Sequence, residues 1–207
     1  AAPRPGGLPQ GHRRLSGSVV VWCWPVVGLA LLTLLGLAVG KGSTALDDWF
    51  QVAGAAHPGV GRLLVFTDGR VTLTLWALVL VVAALRRQWR LAAVAAVTPF
   101  VAIATARLAK QAFGRWKGDA LAYPSGHTTL AVVVLGLAVL AAGAATWAVV
   151  AALAAAVLGV LGQGFTYHYL TDAVGAVFLG TALVCVAAWA AGLDRCQPRC
   201  DTGHTDR

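Results

Sequence analysis

Two short polar stretches break the long apolar runs of this chain: Pro124-Ser125-Gly126-His127 and His168-Tyr-Leu-Thr-Asp172. A histidine four residues ahead of an aspartate shares its helical face, so the spacing predicts a helix continuing back through His168. A carboxylate bonded to one ring nitrogen fixes the tautomer and makes the other nitrogen a better base or nucleophile. His127 supplies a second imidazole, able to protonate a leaving group. Passing a phosphoryl group to imidazole and then to water divides one hard step into two easier ones, without a metal. The cations for such an anion are Lys110, Arg115 and Lys117, with Arg115 preferred for its bidentate fork. Ser125 suits a helix N-cap or a hydroxyl donor to the anion, and Gly126 admits close backbone approach. Helix amides and dipole favour a phosphate at the same place. The expected site therefore comprises His168, His127 and Asp172 for chemistry, and Lys110, Arg115, Lys117, Ser125 and Gly126 for binding.

The elements that must position these groups are membrane spans. Of 207 residues, 58% are hydrophobic and 12% charged, outside the range of soluble domains. The expected fold is all-α: a polytopic bundle of six transmembrane helices. The spans read as Ser18 to Gly40, Val71 to Leu85, Leu91 to Phe113, His127 to Ala142, Thr146 to about Gly162, and about His168 to Leu193. Pro99 is expected to kink the third. Residues 1–17 form a basic, Pro- and Gly-rich tail, 18–193 the membrane domain, and 194–207 a C-terminal tail. Leu130 to Val160 is long enough to cross a bilayer and return, at about 20 residues per span. Two crossings return the chain to its starting side, so His127 and His168 are expected at one aqueous surface.

Charge orients this bundle. The cluster Arg86-Arg87-Gln88-Trp89-Arg90 reads as cytoplasmic by the positive-inside rule, which puts both termini inside and the two histidines at the extracytoplasmic end. The formal charge of +8 has the same explanation, and no basic stretch is interleaved with aromatics as nucleic-acid binding requires. Lys41 to Arg70 reads as an outer loop of balanced charge, with an interfacial helix within Leu46 to Val65. Gly36-x3-Gly40 offers a close helix contact. Cys23 and Cys185 fall inside apolar runs, while Cys196, Cys200 and His204 match no common zinc spacing.

Lys110, the tetrapeptide Pro124-Ser125-Gly126-His127 and His168-x3-Asp172 resemble the three-part signature of the type 2 phosphatidic acid phosphatase family, over about residues 46 to 185. The resemblance implies an integral membrane, metal-independent lipid phosphatase without a cofactor. His168 would be the nucleophile that becomes a phosphohistidine, Asp172 its partner and His127 the acid, with Lys110, Ser125 and Gly126 holding the phosphate. Two places depart from the pattern. The family's first motif has Arg-Pro seven and eight residues after its lysine; here Lys117 and Gly118 stand there, and Arg115 lies five along. The Ser-Arg expected six to seven residues before the third-motif histidine is Leu161-Gly162, leaving Gln163 or Arg107 as partial substitutes. The expected substrate is a polyprenyl or glycerolipid phosphate or diphosphate; the Ala, Val, Gly and Arg bias and the absence of Glu and Met point to a bacterial inner membrane, with the site facing outward. The alternatives are a degenerate lipid-phosphate binding or scaffold protein, and a transporter or metal-dependent hydrolase using His127, His168, Asp172 and Asp119.

Overall fold

A computed structural model describes residues 14–193. The expected tails 1–17 and 194–207 lie outside it apart from Arg14 to Gly17, which belong to the first helix, and so do Cys196, Cys200 and His204. Seven α-helices follow in order: α1 Arg14–Val39, α2 Ala45–Ala56, α3 Gly69–Leu85, α4 Trp89–Phe113, α5 Gly126–Ala141, α6 Thr146–Phe165 and α7 Leu170–Ala191. A 3-10 segment, Pro58–Thr67, joins α2 to α3. A small antiparallel hairpin, β1 Trp116–Lys117 and β2 Ala120–Leu121, sits between α4 and α5.

Five stretches are long and apolar enough to cross a membrane: Trp22–Val39, Pro58–Leu85, Trp89–Phe113, Thr146–Phe165 and Leu170–Ala191. Their outer faces carry exposed aliphatic side chains, among them Leu34, Leu37, Leu78 and Leu85, as lipid-facing surfaces do. The remaining expected span, α5, has 16 residues and rises about 24 Å, short of a hydrocarbon core of roughly 30 Å. It packs against α3, α4, α6 and α7 at once. Protein rather than lipid surrounds it, which relieves it of the length a lipid-facing helix needs. Its Val133 and Leu137 meet Val79, Ala95 and Ala187 in the main buried cluster.

Lipid tails are as apolar as this core, so hydrophobic transfer does not draw the helices together; close packing and hydrogen bonds do. Pro99 lies inside α4 and cannot bond the carbonyl of Ala95 four residues back. The Trp76 indole of α3 donates to that carbonyl at 2.8 Å, so the proline's lost bond becomes an interhelical tie. Trp24 of α1 likewise donates to Thr181 Oγ1 of α7 at 2.9 Å.

Tyr123, fully buried just ahead of the Pro124-Ser125-Gly126-His127 stretch, fills a slot between α1 and α7 and donates its hydroxyl to Leu32 O. A Cβ on Gly175 would stand 2.4 Å from its ring, and one on Gly36 would stand 2.7 Å from it and 2.4 Å from Phe113. Of the Gly36-x3-Gly40 pair, Gly36 alone makes a close contact, and it admits a ring rather than a second helix backbone. Gly40 contributes nothing to that contact: it lies past the end of α1 with φ +63° and open space around it. Gly175→Val is expected to overpack the slot, costing about 1–3 kcal/mol. The check is thermal unfolding in detergent, with Gly59→Ala, which meets no neighbour within 4 Å, as the control that leaves the midpoint unchanged.

Candidate active site

The site is built on a buried guanidinium. Arg115, in the α4–α5 loop, has no exposed surface, and all five of its N–H groups have acceptors. Nε and Nη2 donate to Gly42 O at 3.1 and 2.8 Å. Nη2 also meets Asp47 Oδ2 at 2.8 Å, and Nη1 meets Thr171 Oγ1 and Asp172 Oδ1 at 2.7 and 2.8 Å. Asp47 and Asp172 are themselves fully buried. Asp47 also accepts from the backbone N–H and the hydroxyl of Thr171, both at 3.0 Å. Thr44 caps α2 reciprocally with Asp47, so one carboxylate starts α2 and also joins it to Arg115 and the first turn of α7.

This arrangement corrects the expectation for Arg115. Its fork grips two carboxylates rather than a phosphate, and no donor remains for a ligand. The expected helix through His168 is corrected as well: α7 begins at Leu170 with Tyr169 as its N-cap, and His168 lies in the preceding turn. Asp172 Oδ2 accepts from Tyr169 N at 3.3 Å, as the third residue of a capping box does. His168 Nδ1 lies 3.8 Å from the same oxygen, beyond hydrogen-bond range, and has no other partner. Closing by about 1 Å makes the bond, a tightening common on ligand binding.

His127 and His168 line one cavity of about 510 Å³, with Lys117, Gln163, Asp68 and Tyr167. Four devices aim these groups. The two-residue turn Gly118-Asp119, with Gly118 at φ +58°, holds Lys117 over the opening. Gln51 of α2 accepts from Lys117 Nζ at 2.8 Å and donates to the carbonyls of Gly164 and His168 at 2.7 and 3.1 Å. The Lys117 ammonium lies 4.9 Å from the Tyr169 ring centroid, with the Arg115 guanidinium 4.6 Å from it. Ser125 N–H donates to Asp172 O at 3.1 Å, tying the mouths of α5 and α7 together. Burial pushes the Lys117 pKa below the usual lysine range, and the charges of Asp172 and Asp47 offset part of that.

The remaining expected residues divide. Ser125 is buried and caps α5, accepting from Thr128 N at 3.4 Å, and it does not line the cavity. Around Gly126 a Cβ would meet nothing within 4 Å, so the start of α5 is open to approach. Lys110 stands behind the hairpin, donating from Nζ to Leu121 O at 2.6 Å. Arg107 is exposed on α4, away from the cavity.

The missing arginine has a steric explanation. A Cβ on Gly162 would stand 2.7 Å from Leu63 C and 2.9 Å from Leu63 O: the 3-10 segment lies against α6 where a side chain at 162 would emerge. Gln163 faces the cavity instead. Its Nε2 donates to Thr67 Oγ1 at 2.7 Å, while its Oε1 is buried without a partner. Asp119 does not line the cavity, and among the described residues no three His, Cys or Asp side chains gather as a metal-binding group.

Asp47, Gln51 and Thr171 are the positioning residues that the sequence reading missed. Thr44-x-x-Asp47 carries a capping-box signal that marks the start of α2, and nothing in that signal points to Arg115.

Arg115→Ala leaves two buried carboxylates without their counter-ion and is expected to cost roughly 3–5 kcal/mol, read as a lower unfolding midpoint. Burial alone would raise the Asp47 pKa, but the hydrogen bonds from Thr171, Thr44 and Arg115 outweigh it and hold the pKa below the ordinary 3.8. A carboxylate depressed on folding stabilises fully above its unfolded pKa, and that contribution is lost as pH falls through the folded value. Asp47→Asn is therefore expected to flatten the loss of stability below about pH 4, measured by unfolding at stepped pH. An unchanged acid limb would contradict it.

Comparison with protein-family models, curated proteins and solved structures returns no match to this chain.

Proposed function

We propose that this chain is a membrane lipid phosphatase of the type 2 phosphatidic acid phosphatase kind. It would span the membrane six times and act at the extracytoplasmic face on a polyprenyl or glycerolipid phosphate or diphosphate. The observation that carries this reading is the shared cavity: His127, at the start of α5, and His168, beyond the end of α6, line one space with Lys117. In the proposed reaction the phosphate sits between the Lys117 ammonium and the open start of α5. His168 Nε2 attacks phosphorus, the bond to the lipid oxygen breaks, and protonated His127 gives its proton to that oxygen. His127, now neutral, takes a proton from water as the water oxygen attacks the phosphohistidine. The P–N bond breaks, phosphate leaves, and both imidazoles return to their starting states. In this reading Asp172 Oδ2, 3.8 Å from His168 Nδ1, would close on it and accept from Nδ1–H while the ring carries the phosphoryl group. The headgroup enters at the interface with its tail still in lipid.

A second reading, a lipid-phosphate binding or scaffold protein, draws on two observations. Arg115 has no donor to spare, and Leu63 blocks the position of the expected arginine. Lys117 is then the cation lining the cavity.

Phosphate release from a panel of lipid phosphates, in excess EDTA, separates these readings. Release by the wild type, none by His168→Ala, and a loss of roughly 10²–10⁴-fold in His127→Ala are the expected results. Lys117→Ala is expected to raise KM by about tenfold to a hundredfold, the worth of one charge-assisted hydrogen bond, with a smaller change in kcat. Binding without release favours the scaffold, and equal turnover by wild type and His168→Ala removes the mechanism.

A further inference from the structure

At the end of the bundle away from the two histidines, α3, α5 and α6 part to leave a second cavity of about 510 Å³. Its walls are Leu, Val, Ala and Trp147, and Arg86 is its one charged lining residue. Leu78 and Trp147 on it are 55% and 72% exposed, so the groove opens sideways, where lipid lies around an apolar bundle. Along α3 it runs from Leu75 to Arg86, about 16 Å at 1.5 Å per residue. That is close to the roughly 15 Å hydrocarbon depth of one leaflet, half of a bilayer core.

The groove thus has the length of an acyl chain in one leaflet, with a guanidinium at the headgroup end. Arg86 Nη1 donates to Ala141 O at 2.9 Å, closing the C-terminus of α5. Arg87 follows it, and Arg90 donates to Ala190 O at 3.4 Å. The described aspartates, Asp47, Asp48, Asp68, Asp119 and Asp172, all belong to the histidine end. Among the described residues, these three arginines therefore have no carboxylate to neutralise them. Exposed Trp89 beside them suits the headgroup level.

We propose that this groove binds an anionic phospholipid, one acyl chain between α3, α5 and α6 and the phosphate on Arg86, with Arg87 adding positive charge. Basic pockets between spans select anionic headgroups in this way. A zwitterionic lipid offers the same chain and phosphate but brings an ammonium that the arginines repel. A second copy of the chain would bring arginines to arginines at this end.

The test uses the full chain in mild detergent, titrated with phosphatidylglycerol or phosphatidylcholine of identical chains, with retained lipid counted by intact-complex mass spectrometry. Wild type is expected to retain phosphatidylglycerol about tenfold better, because the arginines repel the choline ammonium. Arg86→Gln, which removes the charge, and Ala152→Phe, which fills the groove from α6, are each expected to lose that preference with helical content intact. His168→Ala at the other end is expected to keep it. Equal retention of the two lipids by wild type, undiminished phosphatidylglycerol on Ala152→Phe, or a lipid-free dimer would overturn the proposal.

Discussion

The arrangement of the candidate site depends on one buried ion triad, Asp47–Arg115–Asp172. A guanidinium taken out of water is costly unless every N–H finds an acceptor, and here five N–H groups meet four oxygens, Gly42 O accepting twice, contributed by the α1–α2 loop, α2 and the first turn of α7. Such a group tolerates little displacement. It sets where α2 lies, where α7 begins, and which oxygen of Asp172 remains to face His168. The cation that resembles a phosphate ligand in sequence is a structural centre in space, and Lys117 is the cation that lines the cavity.

A single short helix, α2, reaches both halves of the site. Asp47 joins it to Arg115, and Gln51, one turn further, bonds Lys117 and the carbonyls of Gly164 and His168. The 3-10 segment after it lies on α6 so closely that residue 162 can be only glycine. The absence of an arginine at 162 and the added cover are two views of one packing arrangement: the segment occupies the ground such a side chain would need. The cavity that results is more balanced in charge than a typical anion pocket, with Asp68 and the unpaired Oε1 of Gln163 beside Lys117 and the histidines.

The helices were legible in the sequence because apolar runs of span length, punctuated by Gly, Pro and Arg, leave few alternatives. The observed elements fall within a few residues of the expected spans, and the loop between the first two spans contains the amphipathic α2. What failed to read out was partnership. Arg115, Asp47 and Asp172 are distant in sequence, and a charge in a loop looks alike whether it faces water, a ligand or two buried carboxylates. The start of α7 was misplaced because the His168-x3-Asp172 spacing suits a helical face, whereas the aspartate caps the helix and leaves His168 in the turn before it. Two-residue strands such as β1 and β2 carry too little pattern to be seen without neighbours.

The central proposal is that His168 takes a phosphoryl group from a lipid phosphate. The most direct measurement is acid-quench trapping during turnover of a substrate labelled in its phosphate, followed by mapping of the labelled peptide. The account predicts an acid-labile phosphoryl group on the peptide containing His168, formed and discharged at the turnover rate and absent from His168→Ala. Steady turnover with no label on that peptide, or label on another residue, would contradict it.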